Sequence, residues 1–159
     1  MRKFEKISLN EFIKDTKLSE KEYQQILIPH RATKNSAGYD FHLLKDITLN
    51  PKEIKIIPTA IKAKMNNDEV LMLYIRSSLG FKYNLRLCNQ TGIIDSDYYN
   101  NETNEGHIFI AIQNEGKNQV TLKKGDRFAQ GIFLKYLTVT DEEEITLKRK
   151  GGIGSTKEE

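Results

Sequence analysis

The sequence predicts an all-β protein, a jelly-roll-like antiparallel β-sandwich with short helical turns. Two observations support this class. From residue 28 onward, runs rich in β-branched and aromatic residues recur at a spacing of roughly ten residues, as in antiparallel sandwiches. Turn signals such as Asn50-Pro51 and Lys124-Gly125-Asp126 separate these runs. The spacing does not fit a fold in which strands alternate with helices.

Two helical turns are expected before the strands. Ser8 with Glu11, and Ser19 with Glu22, have the spacing of a capping box ahead of apolar residues. The predicted strands cover residues 47–49, 54–57, 60–65, 70–75, 85–88, 107–112, 120–122 and 128–139. We expect a single domain over residues 1–159, with an N-terminal extension containing the helical turns (1–26), a β core (27–147) and a mobile C-terminal arm (148–159).

Composition narrows the class of protein and its partners. The chain has 159 residues, of which 38% are apolar, enough for one domain with its own core. It has no apolar run long enough to span a membrane, and no apolar stretch follows its charged N-terminus, so we expect a cytoplasmic protein without a membrane partner. The net charge of +3 is spread along the chain, without an arginine-rich block or an aromatic ladder, so a nucleic-acid partner is not expected.

One predicted strand differs from the others in its pattern. Residues 70–75 are apolar on both faces, whereas residues 61–65 alternate apolar and basic as a half-exposed strand does. Burial between the two sheets of the sandwich would explain the pattern, and so would a second subunit covering the outer face of the sheet.

The segment from Asn89 to Tyr98 combines a carboxylate, an aromatic ring and a glycine turn. Asp95 follows two β-branched residues, which stiffen the extended chain and aim the carboxylate at one point. Such a carboxylate can take a proton from water, and the flat ring of Tyr98 can support a sugar or a base. The alternative is an ordinary turn-forming aspartate.

Four further segments carry polar groups where a sandwich needs only turns: 37–40, 76–80, 125–130 and 151–156. Arg76-Ser77-Ser78 is either a strand end with a helix cap or a seat for a phosphate. The third segment is either a solvated turn or a further set of anion contacts. The last, rich in glycine, is either a disordered terminus or a strip of backbone N–H groups around a phosphate.

In order and in spacing, these five segments resemble the five motifs of the trimeric dUTP diphosphatase (dUTPase) family, over residues 37–156. The resemblance implies a jelly roll that assembles as a homotrimer, with each active site built from more than one subunit and closed by the C-terminal arm of a third chain. It implies hydrolysis of dUTP to dUMP and pyrophosphate by water attack on the α-phosphorus, with a Mg²⁺ ion held by the triphosphate. This reaction limits uracil in DNA and supplies dUMP for dTMP synthesis.

The resemblance also assigns roles to matching positions. Asp95 is the base that orients and deprotonates the attacking water, and Tyr98 packs under the deoxyribose and excludes a 2′-hydroxyl. Asn89, Gly92 and Ile93 read the edge of the uracil. The residues matching the phosphate seat are Arg76, Ser77, Ser78, Arg127 and Gln130. Asp40 matches a residue that helps to organise the hydration shell of the Mg²⁺ ion.

The C-terminal arm and one loop depart from the family pattern. In the arm, the matching substrate contacts are Arg149, Ile153, Gly154, Ser155 and Thr156. Ile153 stands where the family has an aromatic residue that stacks on the uracil, so an aliphatic contact replaces a π contact. The loop at residues 99–106 is longer than usual and is a candidate surface for a protein partner. The three histidines show no metal-ligand spacing and are given no role.

Two alternative functions stay open. The related dCTP deaminases share the fold and the phosphate seat, but Ala111 stands where their catalytic glutamate lies, so the base ring lacks a proton shuttle. A non-catalytic nucleotide sensor would keep the pocket and use the 99–106 loop for a partner. The presence of Asp95 argues against a purely non-catalytic role.

Overall fold

The structure is a computed structural model that describes residues 1–154, mainly as antiparallel β-strands. The helices are α1 (Leu9–Thr16), α2 (Glu20–Gln24) and α3 (Ser77–Tyr83). The strands are β1 (Lys3–Lys6), β2 (His30–Arg31), β3 (Tyr39–His42), β4 (Ile47–Leu49), β5 (Ile54–Pro58), β6 (Ile61–Lys64), β7 (Glu69–Ile75), β8 (Leu85–Leu87), β9 (Gly92–Asp95), β10 (Phe109–Asn114), β11 (Val120–Leu122) and β12 (Arg127–Lys135). The predicted all-β, jelly-roll-like class is confirmed.

Four sheets enclose one core. The largest has five strands in the order β2-β3-β12-β7-β9, and a second has the order β5-β10-β8. Two further pairs, β1-β6 and β11-β4, complete the layers, and the pairings of these sheets are all antiparallel. The core draws on both large sheets, with Phe41, Leu71 and Phe128 from the first and Leu87 and Ile110 from the second.

The predicted strands at 47–49 and 120–122 coincide with β4 and β11. The strand predicted at 128–139 is too long, because β12 ends at Lys135. Lys135 is paired with Glu69, the first residue of β7, and beyond this pair the Tyr136 N–H donates to the carbonyl oxygen of Asp68, which precedes β7, at 3.2 Å.

The N-terminal segment contributes to the core and contains a strand that its sequence does not predict. β1 pairs with β6, and Ile7 and Phe12 are fully buried. The predicted capping box at Ser19 and Glu22 is present in α2. At α1 it is incomplete: the Ser8 hydroxyl accepts from the Glu11 N–H, but the carboxylate that accepts from the Ser8 N–H belongs to Glu105, at 2.9 Å.

Strand β7 is fully buried on one face only. Leu71 and Leu73 point into the core, whereas Val70, Met72 and Tyr74 on the other face are half-buried. Packing between sheets therefore explains one apolar face of this strand and leaves the second face for another partner. Among residues 1–154, no helix is both long and apolar enough to cross a membrane.

Candidate active site

The Asp95 segment (residues 89–98) does not form a hairpin, because its strand β9 is an edge of the five-stranded sheet whereas β8 belongs to the three-stranded sheet. β9 pairs with β7 so that Gly92 lies opposite Leu73 and Asp95 opposite Val70. A side chain at position 92 would bring its Cβ within 3.0 Å of the Leu73 Cβ, so the close approach of these strands requires glycine. Asn89, Gly92 and Ile93 line one small cleft, as expected for residues that read one ligand together.

Tyr98 lies just beyond β9 in a short 3₁₀ turn, Ser96–Tyr98, and only 8% of its surface is exposed. Its hydroxyl donates to the His107 carbonyl oxygen at 2.6 Å and accepts from Asn104 Nδ2 at 2.8 Å. Burial raises the pKa of the Tyr98 hydroxyl, so the phenol stays protonated and can donate. The ring is therefore held at a defined position beside Asp95.

His107 has a structural role that its sequence context does not indicate. Its Nε2 accepts from the Ala60 N–H at 2.9 Å, so Nδ1 carries the proton and donates to Asp15 Oδ2 at 2.6 Å. Burial lowers the pKa of His107, although the Asp15 carboxylate opposes this. The neutral His107 side chain therefore binds Asp15 of α1, while the carbonyl oxygen of the same residue accepts from the Tyr98 hydroxyl.

The predicted phosphate seat lies where β3, β7 and β12 are adjacent. The buried Asp40 carboxylate forms an ion pair with Arg76, with 3.1 Å between Oδ1 and Nε, and its Oδ2 accepts a hydrogen bond from Arg127 Nη1 at 3.2 Å. Gln130 lies opposite Asp40 in the sheet, over Gly38, where a Cβ would be 2.2 Å from Gln130 Oε1. Asp40 therefore orients two guanidinium groups, and the Gln130 carboxamide lies on the adjacent strand, opposite Asp40.

The start of α3 completes this cluster. Arg76, and not a serine, occupies the N-cap position, and no side chain caps the helix. Ser77 and Ser78 are exposed in its first turn. The serines do not serve the capping role that was the alternative to a phosphate seat, so the hydroxyls and the N–H groups of this turn are available to an anion.

No group of three His, Cys, Asp or Glu side chains suited to a metal ion occurs among residues 1–154. Both oxygens of Asp40, the expected organiser of the Mg²⁺ hydration shell, face arginines. The carboxylate orients the phosphate seat, and its indirect role in the hydration shell of Mg²⁺ stays a prediction from the sequence. A Mg²⁺ ion that arrives on a triphosphate keeps most of its waters and needs few protein ligands.

The C-terminal arm lies on the Asp95 segment of its own chain. Arg149 Nη2 is 2.5 Å from Asp95 Oδ2, and Arg149 Nε is 2.7 Å from Asp97 Oδ1. Gly152 rests on the Tyr98 ring, and Ile153 lines the cleft beside Asp95. The family resemblance implies an arm from a third chain, whereas here the arm of the same chain covers this surface. Gly154 is exposed, and the predicted contacts Ser155 and Thr156 lie outside the described residues.

The two halves of the predicted site are far apart within one chain. Asp95 lies opposite Val70, and Arg76 comes six positions later, just beyond the far end of β7. A strand rises about 3.3 Å per residue, so roughly 20 Å separates the two positions. Within one chain, the backbone positions of Asp95 and of its own phosphate seat therefore lie at opposite ends of β7.

Comparison with known proteins shows the family of the chain. The family model for dUTPase matches residues 24–157. The deoxyuridine 5′-triphosphate nucleotidohydrolase of Lactococcus lactis subsp. lactis is 46% identical over 132 residues, which cover 82% of this chain and 88% of the relative.

Solved structures give the same result. The crystal structure of the dUTPase from Streptococcus mutans is 38% identical, with a TM-score of 0.70, and covers 86% of this chain and 98% of that one. A variant dUTPase of phage phi11 of S. aureus, described with a structural Mg(II) ion, has a TM-score of 0.67 over 92% of this chain and 97% of that chain. At 20% identity, this second likeness concerns the fold alone. From the family model and the identity to the Lactococcus relative, the chain belongs to the dUTPase family.

Proposed function

We propose that the protein hydrolyses dUTP to dUMP and pyrophosphate, in active sites shared between copies of the chain in a homotrimer. Family membership supports the substrate and the reaction. The observation that carries the shared site is the distance of roughly 20 Å between Asp95 and Arg76, estimated from the rise of β7. The Asp95 segment of one copy and the phosphate seat of another together form a complete site.

The outer face of the five-stranded sheet supports the assembly. Ile93 is 61% exposed and Leu134 46% exposed. In the register of β9, β7 and β12 they lie on the same face as Met72 and Ile132, which are half-buried. A continuous apolar surface of this kind is typical of a face covered by another subunit.

In the proposed reaction, Asp95 takes a proton from the water that attacks the α-phosphorus. Asn89 and the backbone near Gly92 hold the uracil, and Tyr98 supports the deoxyribose. Arg76 and Arg127, oriented by Asp40, neutralise the phosphates together with Gln130 and the first turn of α3. Positioning and charge neutralisation account for most of the catalysis in phosphoryl transfer.

We also propose Mg²⁺ as the cofactor, carried by the triphosphate. When bound, the ion neutralises phosphate charge and favours the leaving of pyrophosphate. The arm has to move before the reaction, because Arg149 occupies Asp95 and Gly152 covers the Tyr98 ring. The incoming phosphates offer Arg149 an alternative anionic partner.

A nucleotide panel tests the reaction. The protein is incubated with Mg²⁺ and with dUTP, dCTP, dTTP or UTP, and the release of pyrophosphate and ammonia is followed. Pyrophosphate from dUTP alone supports the proposal. Ammonia from dCTP would favour the deaminase, and tight binding of dUTP without turnover would favour the sensor.

Mixed assemblies test the shared site. Asp95→Asn and Arg76→Ala chains, each inactive alone, are unfolded, mixed in equal amounts and refolded together. About a quarter of the sites then combine an intact Asp95 with an intact Arg76, if copies assort at random. Return of about that fraction of the activity supports the proposal, whereas no return would mean that each chain uses its own pair.

The structure does not test the predictions about location and partners in the cell. A cytoplasmic location, the lack of a nucleic-acid partner and a protein partner at the 99–106 loop stay predictions from the sequence. In that loop, Asn101 and Asn104 form hydrogen bonds with Tyr98, which favours a structural role at the site.

A further inference from the structure

The longer loop at residues 99–106 surrounds the side of Tyr98 that carries the hydroxyl. Both hydrogen-bonding functions of this hydroxyl are used, since it donates to the His107 carbonyl and accepts from Asn104 Nδ2. A phenol has a single proton to donate, so the loop residue supplies the second tether.

The carboxamide of Asn104 is itself fixed. Its Oδ1 accepts from the Gly106 N–H at 3.1 Å and from Asn101 Nδ2 at 2.8 Å. Because a backbone N–H can only donate, the oxygen has to face Gly106, and Nδ2 then faces Tyr98. The Asn104 side chain therefore has one orientation that satisfies all its partners.

The neighbouring Asn101 holds the loop in the same way. Its Oδ1 accepts from the Thr103 N–H at 3.0 Å and the Asn104 N–H at 3.2 Å, and its Nδ2 donates to the Tyr98 carbonyl at 2.8 Å. Asn101 is buried. The loop is thus bonded to Tyr98, the residue that immediately precedes it.

The loop is anchored to the rest of the fold at its far end. The Glu105 carboxylate accepts from the N–H and the hydroxyl of Ser8, at 2.9 and 2.5 Å. Lys62 donates to Asn100 Oδ1 at 2.8 Å. These anchors mean that a displacement of Asn104 has to strain several other bonds, so Tyr98 is held by a rigid element.

We propose that Asn104 is a positioning residue that fixes the Tyr98 ring and thereby sets the discrimination between deoxyribonucleotides and ribonucleotides. The assignment rests on the proposed function, in which the ring supports the deoxyribose. A ring that can tilt makes room for a 2′-hydroxyl, whereas a ring held within about 0.5 Å does not. The 99–106 loop is in this view a specificity element of the site.

Two single variants and their combination test the assignment. Asn104→Ala removes the donor, and Tyr98→Phe removes the hydroxyl while every bond inside the loop is kept. Each should lower the ratio of kcat/KM for dUTP to kcat/KM for UTP by about tenfold, mainly through faster turnover of UTP. The double variant should lower it no further than Tyr98→Phe alone, because loss of the hydroxyl already breaks the contact with Asn104 as well as the bond to the His107 carbonyl.

Glu102→Ala, an exposed change in the same loop, is the matched control and should leave the ratio unchanged. An unchanged ratio in Asn104→Ala or Tyr98→Phe would overturn the assignment, as would a double variant whose effect is the product of the two single effects. Failure of the unaltered chain to release pyrophosphate from dUTP would instead overturn the proposed function, and this assignment with it.

Discussion

Arg149 of the C-terminal arm forms an ion pair with Asp95, the proposed base, with 2.5 Å between Nη2 and Oδ2. The same guanidinium reaches Asp97 Oδ1 at 2.7 Å, and Thr103 Oγ1 donates to the Lys150 carbonyl at 2.6 Å. The arm is therefore held on the Asp95 segment mainly by Arg149, whose guanidinium could otherwise bind phosphate. The guanidinium occupies Asp95 Oδ2, so in this closed arrangement that oxygen does not face a water until Arg149 leaves.

Asp97→Asn should loosen the arm without altering the base. The variant removes one of the two carboxylates that hold Arg149, and the Asp97 side chain is 58% exposed, so the loss is about 0.2–1 kcal/mol. Trypsin should cut the arm at Lys148, Arg149 and Lys150 up to about fivefold faster in the absence of nucleotide. The control is Asp141→Asn, in the exposed chain before the arm. Equal cleavage rates in both variants and the unaltered protein would contradict the role of Asp97.

Asp95→Asn should bind dUTP and lose most of its hydrolysis. The carboxamide keeps the size of the side chain but cannot accept a proton from water, and loss of a general base costs about 10²- to 10⁴-fold in rate. Pyrophosphate release measures turnover, and calorimetry with dUTP measures binding. Asp97→Asn is the matched control and should retain turnover. Normal turnover in Asp95→Asn would show that another group is the base.

Stability should fall as the pH drops below 6.5, in part because of His107. Burial lowers the pKa of this histidine in the folded protein, so the unfolded chain takes up a proton near pH 6.5 that the folded chain refuses. The contribution of His107 to the free energy of unfolding is complete above pH 6.5 and is lost as the pH falls toward the pKa of His107 in the folded protein. His107→Gln should therefore show a smaller loss of Tm between pH 7.5 and 5.5 than the unaltered chain. Burial also lowers the pKa of His42, and this residue contributes to the loss of Tm in the unaltered chain and in His107→Gln alike.

An equal loss of Tm in the unaltered chain and in His107→Gln would contradict this account. Carboxylates with lowered pKa, such as Glu22, titrate below the window and do not mask the comparison.

Phe12→Ala should destabilise the fold strongly, because the N-terminal segment belongs to the core. Phe12 is fully buried and its ring centroid lies 5.4 Å from that of Tyr23. Truncation of a buried phenylalanine costs about 3–5 kcal/mol of unfolding free energy. Ile13→Ala on the same helix, at a residue 42% exposed, is the control and should cost about 1 kcal/mol or less. Urea unfolding at one protein concentration measures both, and equal costs would mean that α1 is not part of the core.

Much of the local structure could be predicted from the sequence. The capping box of Ser19 and Glu22 forms as expected, and β4 and β11 have the predicted bounds. Asp95 at the end of β9 and Tyr98 in the following 3₁₀ turn are close together because only three positions separate them. In these cases the deciding interactions join neighbours in the chain, so turn chemistry, capping and β-propensity are sufficient.

The tertiary structure decided the contacts between distant segments. β1 has a weak strand pattern and forms because β6 supplies its partner. Asp15 meets His107 across 92 positions, and Arg149 meets Asp95 across 54. The sequence alone established a dUTPase-like set of residues on an all-β chain. Which of them face each other depends on sheet register and chain reversal, because contacts across a sheet are set by the packing of the whole fold and not by local preference.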